Sequence, residues 1–428
     1  MSTTAEPLVE PAGETRRVRW PMGPWRAVVM GAAVLFVLSL VQNMTAGSDD
    51  LTSSGTAGAA LRLAVPILLA GLGGLWAERS GVVNIGLEGM MIMGTWFGAW
   101  AGFEQGPWQG ALYGALGGAI GGLVHAIATV SFGVDHIVSG VAINLLAVGA
   151  TRYLASEIFV DLPGGGENQS PKVVGSVGKF SVPLLSGGFD TWDPLANVER
   201  RNWFFLSDVA GLLNGMTSNV SWLTLIAFGL VAASAWFLWR TPFGLRLRSA
   251  GENPVGAETL GVNVYLVKYV AVVMSGAFAG LGGAFLVLEQ ATIYREGQTA
   301  GRGFLGLAAM LFGNWMPGGL ALGAGLFGYA DALQLRSEES VHALLLFIAM
   351  GGGAVALWLG SRRRVVPALV ALGIGAAFFV WWMVSDSVDR DIVRMTPYVT
   401  TLVVLALATQ RTRMPAADGL RWRRRAAV

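Results

Sequence analysis

"LVKYVAVVMSGAFAGLGGAFLVL", Leu266 to Leu288, holds a single charge, Lys268, in a run otherwise built from apolar, small and weakly polar residues. A helix rises 1.5 Å per residue, so roughly 20 such residues cross the hydrocarbon of a bilayer. Arg26–Met44 and Trp222–Trp239 also approach that length. Across its 428 residues the chain is 54% hydrophobic and only 13% charged, against about 25% charged in an ordinary soluble domain. So few charges cannot clothe a soluble protein of this size. Lipid offers the backbone no hydrogen-bond partners, so the spans must be helical. The expected fold class is an all-α polytopic membrane protein.

Composition also excludes chemistry. With no cysteine, disulfides, thiolate catalysis and Cys-based metal sites are ruled out. Three histidines, His125, His136 and His342, are scattered, and no two have metal-ligand spacing. No G-x-x-x-x-G-K-[ST] occurs: Gly178–Lys179 is followed by Phe180, so the chain has no P-loop for ATP. Nothing points to nucleic acid. Interfacial belts account for most of the 16 tryptophans. Among the 60 glycines, Gly114, Gly118 and Gly122 recur every four residues, as do Gly276 and Gly280 with Ala284. Small residues let helices approach closely in membranes, so both rows read as packing seams.

Arg16, Arg17 and Arg19 precede the first span. No convincing small-residue cleavage site follows, so it reads as retained, with residues 1–25 a cytoplasmic tail. The transmembrane region is expected over 26–410. Further spans follow at Leu61–Ala77, Gly89–Phe103, Gly110–Phe132 and Ile137–Ala155. Residues 156–221, with four Lys/Arg and seven Asp/Glu, suit an extracellular loop. Trp222–Trp239 returns, and Leu266–Leu288 goes out. Phe304–Leu335 is too long for one span, and its middle, "GNWMPGG", breaks helices. It divides into Gly303–Gly313 and Pro317–Leu335. His342–Leu359, Val366–Val384 and Pro397–Ala408 complete twelve segments, one of them short. "SRRR" at Ser361–Arg364 and the basic tail 411–428 then fall on the cytoplasmic side, as the positive-inside rule prefers. Both termini are expected there.

Three polar stretches interrupt the apolar text. "RTPFGLRLRSAGENPVGAETLGVNV", Arg240–Val264, reads as a turn, a short helix, a Gly-Glu-Asn-Pro break and a second short helix. Asn253 caps the second, with Pro254 at its first position. Such punctuation suggests an ordered, protruding elbow that docks a soluble partner; an ordinary basic loop is the alternative. "ERSGVVNIGLEG", Glu78–Gly89, places ionisable and amide groups between two spans. Broken helices at membrane depth often meet substrate. Glu78 and Arg79 are expected near the cytoplasmic surface, with Asn84 and Glu88 facing the bundle interior. The alternative is a plain hairpin in water. Asn144 is a similar candidate, or helix-to-helix glue. "MLFGNWMPGG", Met310–Gly319, is the other break. Asn314 and Trp315 there either contact a solute or simply form the turn.

These motifs carry a resemblance. "LLAGLGGLWAERSGVVNIGLEGMMIMG", the elbow, "GFLGLAAMLFGNWMPGGLALGAGLFGYADALQLR" and "TPYVTTLVVLALATQRTRMPAADG" occur in order. They resemble the permease subunits of bacterial ABC importers for nucleosides and simple sugars, in the branched-chain-amino-acid/ribose-type permease superfamily. The resemblance covers about Leu61–Arg336 and Thr396–Gly419. It implies a core of about ten helices in the bacterial plasma membrane, so 342–384 stands out as an inserted helical pair. It implies an elbow at 240–264 seated in a groove of a separate ATPase, with Gly244, Arg246, Arg248, Gly251, Glu252, Asn253 and Pro254 as ATPase-coupling candidates. Asn84, Glu88, Asn144, Asn314 and Trp315 are the translocation-path candidates. It further implies an extracellular substrate-binding lipoprotein, a second, unlike permease as heterodimer partner, and no cofactor in this chain, ATP and Mg being held by the ATPase. A pentose or other simple sugar is the alternative solute. An ion-coupled secondary transporter, with Glu88 as its lone carboxylate, is the alternative of another class. An integral membrane enzyme would need a cluster of His or Asp/Glu, and the sequence displays none.

Overall fold

The computed structural model describes residues 24–45, 49–183, 185–187, 193–336, 338–396, 399, 402 and 413–422. Its first helices are α1 (Pro24–Met44), α2 (Ser54–Arg79), α3 (Leu87–Glu104), α4 (Pro107–Ala126) and α5 (His136–Ile158). A π-helical turn, Ile127–Ser131, extends α4. The long segment after α5 is not plain loop. It contains a two-stranded antiparallel pair, β1 (Lys179–Phe180) with β2 (Val220–Ser221), and two helices, α6 (Pro194–Glu199) and α7 (Leu206–Thr217). Next come α8 (Trp222–Arg240), the elbow helices α9 (Pro242–Glu252) and α10 (Pro254–Thr259), and α11 (Val264–Phe285), which a π-helical turn carries on to Ala291. The chain continues as α12 (Arg302–Phe312), α13 (Pro317–Leu333), α14 (Glu338–Ser361), α15 (Val365–Val384) and α16 (Arg390–Arg394).

Seven helices among the described residues are long and apolar enough to cross a membrane. The all-α polytopic fold holds. Each expected span up to Val384 is a helix; Pro397–Ala408 lies largely outside the described residues. The divided span is real, and Pro317 opens its second half at N1. One boundary moves. α2 begins at Ser54 rather than Leu61, because the Ser53 side chain accepts from Thr56 N. The start follows the cap rather than the apolar text, since the cap satisfies an orphan backbone donor.

The two glycine rows face each other. A Cβ on Gly118 would lie 2.2 Å from the Gly276 carbonyl oxygen, and one on Gly280 would lie 2.3 Å from that of Gly114. Helices α4 and α11 therefore pack backbone against backbone. In lipid, such close packing must supply the attraction that the hydrophobic effect supplies in water. On the far side of α11, Trp76 of α2 stacks on Phe237 of α8 with ring centroids 5.3 Å apart, and its Nε1 donates to Ser234 Oγ at 3.0 Å. α2 and α11 form the buried axis: 72% of the apolar window of each is buried, against 6% for α15. Helices α14 and α15 pack on each other through Gly352 and Gly375. At the end of the bundle far from the elbow, a cavity of about 1040 Å³ opens between the close of α1, the start of α2, and α6–α7. There Thr52 bonds Asp208, and Glu199 accepts from Ser54 N at 2.8 Å.

Candidate functional site

Between α2 and α3 the helix stops at Ser80, and Gly81 takes φ +83°. The chain then runs without regular structure to Gly86. Its backbone groups have left the helix and are buried, so each needs a partner. Side chains from other helices supply them. Val83 N donates to His136 Nδ1 at 3.3 Å, and Val83 O lies 3.0 Å from His125 Nε2. Asn144 Nδ2 donates to Ile85 O at 3.1 Å, while its Oδ1 accepts from Gly89 N at 2.7 Å. Asn84 accepts from Gly86 N at 3.0 Å and donates to Ser275 Oγ at 2.9 Å. Glu88 accepts from Gly301 N at 2.9 Å through Oε1 and from Gly303 N at 2.7 Å through Oε2. A carboxylate at the start of α12 sits where the helix dipole and free N–H groups favour an anion. Asn84 is fully buried and Glu88 nearly so. Ser275 lies about 16 Å along α11 from Val264, which places this break well inside the bundle.

Asn84, Glu88 and Asn144 thus converge, but Asn314 and Trp315 do not join them. The 11-residue helix α12 separates the two groups. At its far end Asn314 and Trp315 adopt φ +54° and +53°. Trp315 is buried, and its Nε1 donates to Glu78 Oε2 at 2.6 Å. Arg79 donates to Trp315 O at 2.7 and 3.1 Å. Asn314 Oδ1 accepts from Arg413 N at 2.7 Å. This turn lies near the elbow end and is held by the close of α2. Glu78 is itself buried rather than in water, because α12–α13 and the tail cover it.

The elbow is the predicted helix, break and helix. Thr241 caps α9 by accepting from Gly244 N, and Asn253 caps α10 by accepting from Gly256 N, with Pro254 at N1. It does not simply protrude. Gly244 faces inward, where a Cβ would lie 2.2 Å from Phe237 O, and Gly251 would meet Arg79 O at 2.3 Å. Those two positions serve packing and leave no room for a partner. Arg248 also turns in: Nε donates to Leu238 O at 3.0 Å, and the guanidinium lies 5.6 Å from the Trp239 ring centroid. Glu252 accepts from Ala416 N at 3.1 Å. Arg246 and Asn253 remain exposed, beside exposed Leu245, Val255 and Leu260.

The sequence presents 411–428 as a basic cytoplasmic tail. Its described part, 413–422, instead folds back onto the elbow. Ala417 N donates to Gly251 O at 2.9 Å, and Trp422 packs on Tyr265 with centroids 4.9 Å apart. Asp418 is buried. Burial pushes its carboxyl up to about 7, against the opposing pull of the Glu78 carboxyl, the Gly419 backbone, Lys268 and Arg79. Motif reading missed His125, His136, Ser275 and Asp418, since no short spacing connects them. No group of three metal-ligating side chains occurs among the described residues.

The break is thus braced from α4, α5 and α11, and the elbow keeps an exposed face. Residues 56–350, well over half the chain, match the family described as "Branched-chain amino acid transport system / permease component". The chain belongs to this permease family. This permease is 40% identical over 285 residues to the guanosine ABC transporter permease protein NupQ of Bacillus subtilis, covering 65% of this chain and 81% of that one. It is 31% identical over 365 residues to the nucleoside ABC transporter permease protein NupC of Lactococcus lactis, covering 83% and 93%. It is also 31% identical over 361 residues to a putative glucose ABC transporter permease protein, TsgC13, of Haloferax volcanii, covering 84% and 93%. No solved structure matches. The family match ends at residue 350, inside α14, so it reaches into the helical pair.

Proposed function

We propose that this permease carries a nucleoside or related small solute inward by alternating access, driven by ATP hydrolysed on a separate chain. The observation that carries the reading is the 40% identity to a guanosine permease, and the exposed face of a capped elbow supports it. In this reading the elbow end faces the cytoplasm of a bacterial cell, both termini lie there, and Arg246 and Asn253 meet the ATPase directly. Gly244, Gly251 and Arg248 shape the elbow from within, and Glu252 holds the tail. The chain has no catalytic site or cofactor of its own; ATP and Mg belong to the ATPase. An extracellular binding lipoprotein delivers the solute, a second, unlike permease completes the pore, and the pair α14–α15 is an addition to the core.

Asn84, Glu88 and Asn144 bound the path by fixing the backbone at the α2–α3 break, and Asn314 with Trp315 forms its inner end. The ion-coupled alternative has less support, since Glu88 serves the structure by accepting from Gly301 N and Gly303 N at the start of α12. The glucose-named relative keeps a sugar as the second reading. Uptake of labelled nucleoside by cells with and without the chain, with unlabelled sugars as competitors, tests both. Uptake lost with the chain and competed by nucleosides alone is the expected result. A lost pentose or glucose signal instead would keep the machine and replace the solute.

A further inference from the structure

The tail segment 413–422 touches the parts of the bundle that an importer must move together. Arg413 N donates to Asn314 Oδ1 at the α12–α13 turn. Ala416 and Ala417 donate to Glu252 and Gly251 at the end of α9. The Ala417 carbonyl lies against Gly81, at the α2–α3 break. Trp422 packs on Tyr265 of α11, and Arg421 comes within 3.8 Å of Asp135 at the start of α5. At the centre Asp418, 6% exposed, sits near Glu78, which holds Trp315; Lys268 and Arg79 are the nearby cations, and neither Asp418 oxygen has a hydrogen-bond partner among the described residues. Apart from the tail, Gly251 packs on the Arg79 carbonyl and on Gly81, contacts made by packing rather than by a hydrogen bond. A backbone hydrogen bond such as Ala417 N to Gly251 O is directional and cannot slide without breaking. A buried carboxyl pair is costly unless its surroundings are fixed.

We infer that 413–422 is a transmission strap. It ties the coupling elbow to both breaks of the path through its backbone bonds to Gly251, Glu252 and Asn314 and its packing on Gly81, and Asp418, buried at its centre, is where it can be unseated. A displacement of α9 by the docked ATPase then carries the Ser80–Gly86 segment and the Asn314–Trp315 turn together. The inference rests on the proposed docking of an ATPase at the elbow.

The test uses the assembled transporter in vesicles, reading solute moved per ATP hydrolysed. Asp418→Arg places a third cation against Lys268 and Arg79 and should unseat the strap, seen as faster tryptic cleavage after Arg413 and Arg421. Transport per ATP should then fall about fivefold or more, while the ATPase still copurifies. The chain lacks cysteine, so Ala416→Cys with Glu252→Cys can be bridged selectively by a short bis-maleimide. Bridging in the Asp418→Arg background should restore the ratio, which a merely misfolded chain would not regain. A bound ATPase with an unchanged ratio and a released strap would overturn the strap alone, as would bridging that restores nothing. Absence of ATPase from the wild-type complex would overturn the docking reading and the strap with it.

Discussion

The two breaks in this bundle are held in different ways. The α2–α3 break is deep, and its freed backbone is satisfied by His125, His136, Asn144 and the amide of Asn84, all fixed on packed helices or by their own turn. The α12–α13 turn lies near the elbow, and ionic groups and a tail hold it: Glu78, Arg79 and Arg413. The first is therefore braced from α4, α5 and α11, and the second by the close of α2 and the tail. The difference teaches that two similar-looking breaks can be anchored by unlike means. The deep break is held by side chains from several helices at once, whereas the turn near the elbow hangs on a few ionic groups and one tail bond.

The sharpest way to break this contrast is at Glu88. Glu88→Ala leaves the Gly301 and Gly303 N–H groups without their acceptor inside the bundle. Charged hydrogen bonds to buried donors are worth about 1.5–3 kcal/mol each, so a destabilisation of about 3 kcal/mol or more is expected, read as a lower thermal midpoint of the purified complex. Glu88→Gln keeps one acceptor but loses the charge at the helix start, and should fall between. A midpoint unchanged by the alanine variant would remove Glu88 from the frame of the deep break. Asn144→Ala should come next, at about 2 kcal/mol, because Ile85 O and Gly89 N lose partners together.

The elbow-end break should respond less in stability and more to pH. Asp418 has its carboxyl raised to about 7 when the tail is seated, from about 3.9 in a free chain. A group raised in this way favours the seated state fully below the free value, and the advantage is lost as pH rises through about 7. Tryptic release of the tail should therefore accelerate from pH 5 to pH 8 relative to Asp418→Asn, which has no proton to lose. Equal pH profiles for the two chains would dismiss ionisation of this carboxyl as a cause of tail release. No such change is expected at the deep break.

Much of this was legible in the residues. The long apolar runs fixed the fold class, and the glycine rows at 114–122 and 276–284 announced a seam whose two halves proved to face each other. The caps at Thr241 and Asn253 were readable because capping is local in sequence. What escaped was held together by distance. Asn314 and Glu88 stand on either end of one short helix, so a shared motif style did not mean a shared site. His125 and His136 meet only because α4 and α5 bring them to Val83. The folded tail was hidden because "MPAADG" has no apolar period. Its bonds reach Gly251, Glu252 and Asn314, which lie far away in the sequence.

Asn314→Ala gives the smallest effect and the finest division between the two breaks. It removes one bond, from Arg413 N to a half-buried side chain, and water can replace the lost acceptor. A neutral bond of that kind is worth about 0.5–1 kcal/mol. Alanine also carries a cost at φ +54°, where Asn is better tolerated than most residues. Asn314→Gly relieves that strain while still removing the bond, so comparing the two separates backbone from tether. If the tether matters, both variants release the tail faster in proteolysis, and the alanine variant lowers the thermal midpoint more than the glycine variant. If neither affects tail release, the turn is held by Glu78 and Arg79 alone, and the strap would have to act on the elbow and the deep break without it.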